Sequence, residues 1–214
     1  MEANPMQHNA FIKNLMVSFV TVVVLAGCAS TPPPRSGFLV DYPDLKPDPG
    51  NPQLLWWEKP DFDWKRYQKL MIDPVVMYYD PKAKNQEIRP DDLNRLADEF
   101  RDVVTAELGK NFPVVNTPGQ DVLRIRAAIT EIIPANPALN VVTTVVAFVP
   151  LDMGGAAIEA EFIDSMTNER VAAMVERKLG TPFDLKSGFT SLGHARASFK
   201  SWAAELKRAL ETGP

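Results

Sequence analysis

The sequence is poor in the residues that build redox and metal chemistry. One cysteine and two histidines in 214 residues exclude an internal disulfide and a cysteine-rich zinc site, and leave almost no imidazole for a metal centre. Basic charge is not in excess either. Lys and Arg number 23 against 27 Asp and Glu, a net charge of -4 with the signs interspersed, so no basic patch meets a phosphate backbone and no nucleic-acid partner is expected. No apolar run is long enough to cross a bilayer as a helix, since the N-terminal one, Val17 to Ala26, has only about ten residues. Dinucleotide, P-loop, zinc-protease and nucleophile-elbow patterns are absent. No cofactor or metal is implied, and no enzyme is expected.

What is present is an apolar fraction of 45% with 23% charged residues, enough for one globular domain with a proper core. The single cysteine, Cys28, ends the run "VVVLAGC". A polar leader with Lys13, then a short apolar core, is the pattern of a secretory signal peptide over residues 1–27. Leu25, Ala26 and Gly27 directly before the thiol resemble the lipobox of bacterial lipoproteins. That resemblance implies signal-peptidase recognition at those three residues and acylation of Cys28, an anchor worth about 0.8 kcal/mol per buried CH₂. The next residue is Ala29 rather than an aspartate. In the Gram-negative sorting pattern this implies the inner leaflet of the outer membrane, with the domain facing the periplasm.

Residues 28–66 read as a tether. Eight prolines from Pro32 to Pro60 suppress helix and favour extended chain. Its second half is crowded with aromatic residues, including Trp56, Trp57 and Trp64, three of the four tryptophans. Such surface is seldom left in water. Either the segment wraps onto its own domain and closes the core, or it is a partner-binding strap or a belt at the lipid headgroups.

A single domain is expected over residues 67–214. Lys69 to Tyr79 is rich in Val, Ile and Tyr and reads as a strand, bulged or at an edge because of Pro74. From Pro90 the apolar positions Leu93, Leu96, Ala97, Phe100, Val103, Val104 and Leu108 recur at the three-and-four spacing of one helical face, with Asp91 and Asp92 at its positive end. Pro113 to Val115 and Asp121 to Ile133 follow as strands. In the second, Leu123, Ile125, Ala127 and Ile129 alternate with Arg124, Arg126, Ala128 and Thr130, predicting one buried and one wet face.

Ala157 to Asp164 alternates likewise, with Glu159 and Glu161 on the polar side, and the two arginines are expected to pair with the two glutamates across an exposed face. "DSMTNERV" predicts a hairpin with a positive φ at Asn168, returning through Val171 to Leu179. Leu192, Ala195, Phe199, Trp202, Ala203, Leu206 and Leu210 define a last helical face. The fold class is therefore α+β: an antiparallel-rich sheet of about four to six strands with two helices packed on one face.

The stretches "LKPDP", "KLMIDPVVMY", "FPVVNTPGQDVLRIRAAIT", "DMGGAAIEAEFIDSMTNER" and "GHARASFKSWAAEL", together with the lipobox, make the chain resemble the bacterial lipoprotein family catalogued as domain of unknown function 3313. The resemblance spans the mature chain. It implies an envelope lipoprotein with a compact periplasmic domain, and it brings no activity, ligand or catalytic residue.

Candidate chemistry is thin. His194, the one histidine after the leader, sits at the start of the last helix, where packing is its expected role. Glu159 and Glu161 point the same way from a strand, as carboxylate pairs on solvated faces do. The adjacent glycines Gly154 and Gly155 suit either a bend or the close approach of a ligand. Pro134 to Gly155 carries no charge until Asp152. It is either a central strand or an exposed loop offering Val141, Val142, Val145, Val146 and Phe148 to a partner, to like subunits or to the membrane.

The leading expectation is an outer-membrane-anchored, non-enzymatic accessory module, held by its lipid and bound to an envelope protein. An oligomeric export or pore component is the alternative, followed by a ligand-binding or hydrolytic domain.

Overall fold

The strongest alternating segment of the sequence is the middle of the molecule. In the computed structural model, which describes residues 33, 35–78, 88–136, 154–180 and 192–212, it forms β5 (Val122–Ile133), paired antiparallel with β6 (Gly155–Asp164), which pairs antiparallel with β7 (Arg170–Leu179). Asn168 takes φ 57° in the β6–β7 turn, the left-handed conformation that asparagine tolerates. The Asp164 carboxylate accepts the N–H groups of Met166 at 3.0 Å and Thr167 at 2.9 Å and fixes the turn.

Two strands lie upstream of the expected domain start at Tyr67. β1 (Lys46–Asp48) pairs with β2 (Asn51–Glu58), and β2 pairs antiparallel with β7. The second half of the tether is thus sheet. Its run Leu54 to Trp57 gains ladder hydrogen bonds and apolar cover there that it would lack as free chain.

The expected strand from Lys69 is split in two, β3 (Lys69–Ile72) and β4 (Val76–Met77), both parallel to β5. Pro74 lies in the break, where its missing N–H costs no ladder bond. The sheet order is β1-β2-β7-β6-β5-β3, with β4 continuing the edge along β5. Among the described residues seven strands stand where four to six were expected, because β1 and β2 came from the tether and one strand became two. Pro113 to Val115 contributes only an isolated parallel bridge, Leu70 to Val114.

Helix α1 (Pro90–Leu108) and helix α2 (Gly193–Thr212) share one face of the sheet. Pro90 occupies the first turn, with Asp91 and Asp92 beside it. Phe100 of α1 meets Phe199 and Trp202 of α2 at ring-centroid distances of 5.0 and 5.8 Å. Arg196 to Glu99 at 2.7 Å and Lys207 to Glu107 at 3.2 Å bridge the helices outside that contact. Beneath them lie Leu123, Ile125, Ile129, Ile158, Ala160 and Phe162, all buried. The expected architecture, an antiparallel-rich α+β fold with two helices on one face, is the one observed.

Gly155 starts β6 where a side chain has no room, since a Cβ there would stand 2.5 Å from the Lys178 carbonyl oxygen. The paired glycines therefore serve backbone packing.

Candidate functional site

The face of the sheet away from the helices was expected to be wet. It is covered. Chain from Ser36 to Leu45, without helix or strand of its own until β1, lies across it, and Leu39, Leu45 and Leu55 are buried with Ala173 and Val175 in a second apolar cluster. Phe38, Tyr42 and Trp57 pack on that cluster. We call this segment the strap.

Glu159 is the clamp that holds it. Its Cα lies between Ala128 of β5 and Val175 of β7, and the residue is 0% exposed. One carboxylate oxygen accepts the backbone N–H of Ser36 at 2.5 Å, the other the N–H of Leu39 at 3.2 Å. The Tyr42 hydroxyl lies 2.9 and 2.7 Å from the two oxygens and shares its single proton between them. Every partner is a donor, which suits an ionised carboxylate, an acceptor only. The Tyr42 hydroxyl is in turn pushed up to about 12, by burial first and then by the hydrogen bond to Glu159.

Glu161, two residues along and 4% exposed, holds the neighbouring ground. It pairs with Arg126 of β5, as expected from the sequence, and with Arg170 at 2.8 Å. Arg170 also donates to the Asp41 carbonyl oxygen at 2.5 Å, tying β7 to the strap. Arg126 further stands over the Phe38 ring at 5.7 Å. Arg124, expected to meet a glutamate, turns to Asp73 instead, at 3.0 Å from Nε and 2.8 Å from Nη2. The register explains the difference: Arg126 stands opposite Glu161, whereas Arg124 stands opposite Ile163. Glu159 and Glu161 are therefore a buried pair tying down chain, and the expectation of a solvated face is corrected.

The tryptophans divide. Trp64 is buried, within 4.9 Å of Phe62 and 5.7 Å of Phe162, and its indole N–H donates to Glu58 at 3.1 Å. Trp56, half-buried, lies 5.7 Å from Phe162 on the helix side. Trp57, the next residue along β2, packs on the strap side. The strand alternates, so the dense aromatic surface closes two cores. Cys28 with Leu25, Ala26 and Gly27, and Val141, Val142, Val145, Val146 and Phe148, lie outside the described residues.

His194 is buried at the start of α2 against Gly180, where an added Cβ would meet the imidazole Nδ1 at 2.3 Å. Ser198, one turn on, donates its hydroxyl to the His194 carbonyl oxygen at 2.9 Å. Among the described residues no group of three or more His, Cys, Asp or Glu side chains is placed to hold a metal ion.

Sequence reasoning missed the strap, and with it the clamp. The signal available was Phe38, Leu39, Tyr42 and Leu45 spaced among the prolines, too many apolar side chains for a solvated spacer. A second missed feature is Glu176 on the helix side of β7, 0% exposed, which Asn51 and Lys178 contact at 2.8 and 3.1 Å. Burial raises its carboxyl above the usual range, against the opposing pull of Lys178.

Among relatives, the chain is 29% identical over 183 residues to the uncharacterized lipoprotein YdcL of Escherichia coli strain K12, covering 78% of this chain and 82% of that one. Among solved structures, it aligns with the PelC dodecamer from Paraburkholderia phytofirmans at a TM-score of 0.38 and 14% identity, over 68% of this chain and 96% of that one. It aligns also with protein XCC0632 of Xanthomonas campestris, of the family DUF330, at 0.39 and 10%, over 73% and 91%. The family model described as protein of unknown function (DUF3313) matches residues 34–206, from the strap to the last helix, and the chain belongs to that family.

Proposed function

We propose that this protein is a lipid-anchored module of the bacterial envelope, acylated at Cys28 on the inner leaflet of the outer membrane. It works without catalysis, by tethering its periplasmic domain to the membrane for an envelope protein partner. The observation that carries this reading is the clamped strap. Ser36, whose N–H is bound by Glu159, follows Cys28 by eight residues, a stretch that spans at most about 29 Å when fully extended. Most of the prolines therefore belong to clamped chain and to sheet, and little of residues 28–66 is left as free spacer.

Three further observations support it. The relative in Escherichia coli is named a lipoprotein. Among the described residues no helix is long and apolar enough to cross a membrane. The groups weighed for acid–base chemistry are engaged inside the fold, Glu159 and Glu161 by the strap and its arginines, and His194 by packing on Gly180. With most of the tryptophan surface used in packing, the partner contact is assigned to the uncharged run Val141 to Val149.

The test is fractionation and sizing of the wild type beside Cys28→Ser. Wild type in the outer-membrane fraction, extracted by mild detergent as a monomer or dimer, with Cys28→Ser released as a soluble protein, is the expected result. Cys28→Ser remaining in the membrane overturns the anchor. A large closed ring in light scattering replaces the tethered module by an oligomeric export or pore component.

A further inference from the structure

On the helix side, between the β1–β2 turn, β2 and the last turns of α2, a cleft of about 450 Å³ has no part in the anchoring role. Its size falls in the range of small-molecule sites. The walls are Leu54, Trp56, Phe162, Met174, Trp202 and Leu206, so an apolar or flat body entering it sheds water against ring and aliphatic surface.

The rim is polar, and nearly all of that polarity is already committed. Asp48 accepts the N–H groups of Gly50 and Asn51, both at 2.8 Å. Asn51 donates to Glu176 at 2.8 Å and accepts from the Gln53 N–H at 3.1 Å. Glu205 takes Lys178 at 2.5 Å and the Ser201 hydroxyl at 2.9 Å. Thr212 donates to the Arg208 carbonyl oxygen at 2.8 Å. Arg208 itself is exposed, and its guanidinium forms no ion pair among the described residues. An uncommitted guanidinium beside an apolar cleft matches a carboxylate, which it binds as a two-pronged fork. We propose that this cleft binds a small amphipathic carboxylate, its apolar body between Trp56 and Trp202 and its head on Arg208.

The probe is decanoate, compared with decanol and decylamine of the same chain length, each below its micelle concentration. The protein is the mature chain from residue 28 with Cys28→Ser, which needs no detergent. Binding is read by calorimetry and by tryptophan fluorescence, since two of the four tryptophans line the cleft. Saturable one-to-one binding of decanoate, weakened about three- to tenfold by Arg208→Gln, is expected. Arg208 is exposed, so this variant keeps the thermal transition of its parent. Ala209→Phe, which places a ring on the cleft wall, removes the binding. Decanol binding as tightly as decanoate overturns the assignment of the head, and tighter decylamine binding hands recognition to Asp48 and Glu205. No saturable binding, or the same affinity in Arg208→Gln, overturns the site. Loss of the anchor in the fractionation test leaves this result untouched, so the two readings fail separately.

Discussion

Along β6, the even-numbered residues Ala156, Ile158, Ala160 and Phe162 face two helices, and the odd-numbered Glu159 and Glu161 face a strap without regular structure. Both faces are closed, by different physics. The helix face is held by area: aliphatic and aromatic side chains interdigitate, and its stability is spread over many contacts. The strap face has a small apolar cluster, and its cover is fixed by a few hydrogen bonds to charged groups, which are strong singly and costly when one partner is lost. About ten residues of irregular chain can thus cover the sheet around Glu159 and Glu161, provided the sheet offers buried acceptors for the backbone it receives.

The largest effect is expected where area dominates. Phe162, 1% exposed and packed against Trp56 and Trp64, should cost about 3–5 kcal/mol when changed to alanine. In a urea titration both faces should unfold together at a lower midpoint, and a loss below about 1 kcal/mol would mean that the helix face is not the dominant core.

Next comes the clamp. Glu159→Gln keeps the shape but has one acceptor oxygen where Ser36, Leu39 and Tyr42 all donate, so an amide N–H faces a donor. We expect a loss of about 1.5–3 kcal/mol. Limited proteolysis should cut within residues 33–45 while the helix face stays protected, and cleavage spread evenly over the chain would sink the distinction between the faces.

A smaller step is Tyr42→Phe, about 1 kcal/mol. The sign of its pH dependence follows from the raised Tyr42 hydroxyl. The protonated form is favoured in the fold, so its contribution is complete below the ordinary tyrosine value near 10 and is lost as pH rises towards about 12. Strap release measured by proteolysis across that window should be steeper in the wild type than in the phenylalanine variant. Equal slopes would remove Tyr42 from the clamp.

The finest comparison concerns Glu176 on the helix side. Burial raises its carboxyl, so the folded state holds the proton more tightly. Stability from this group is complete below the ordinary carboxylate value of about 4.3 and declines as pH rises through the raised one. Asp164 has the opposite sign. Burial alone would raise it, but the N–H of Thr167, the Tyr67 hydroxyl and the N–H of Met166 hold it below the usual range, and its contribution is lost as pH falls. Glu176→Gln should flatten the decline in urea midpoint with rising pH in the mildly acidic range, and an unchanged slope would show that Lys178 and Asn51 already compensate the buried charge.

Much of this was legible residue by residue. The three-and-four spacing from Leu93 to Leu108 became α1, Asn168 took its positive φ, and Arg126 found Glu161. In each case partners are near in sequence or fixed by strand register. The strap was not legible, because Glu159 and Ser36 are 123 residues apart and nothing local to either announces the other. Alternation in β6 reports that two faces differ in polarity, and a buried acceptor reads the same as a wet one until something is seen to cover it.

Periodicity and turn chemistry act over a few residues, so the two amphipathic helices, the alternating strands and the hairpin between β6 and β7 could be read from the residues alone. That the proline-rich segment is a strap and an edge of the sheet, that Glu159 is a clamp, and that Trp56 looks to one core and Trp57 to the other emerged with the folded chain. Those outcomes depend on desolvating distant groups against one another, a cost and a gain that exist only once the chain has brought them together.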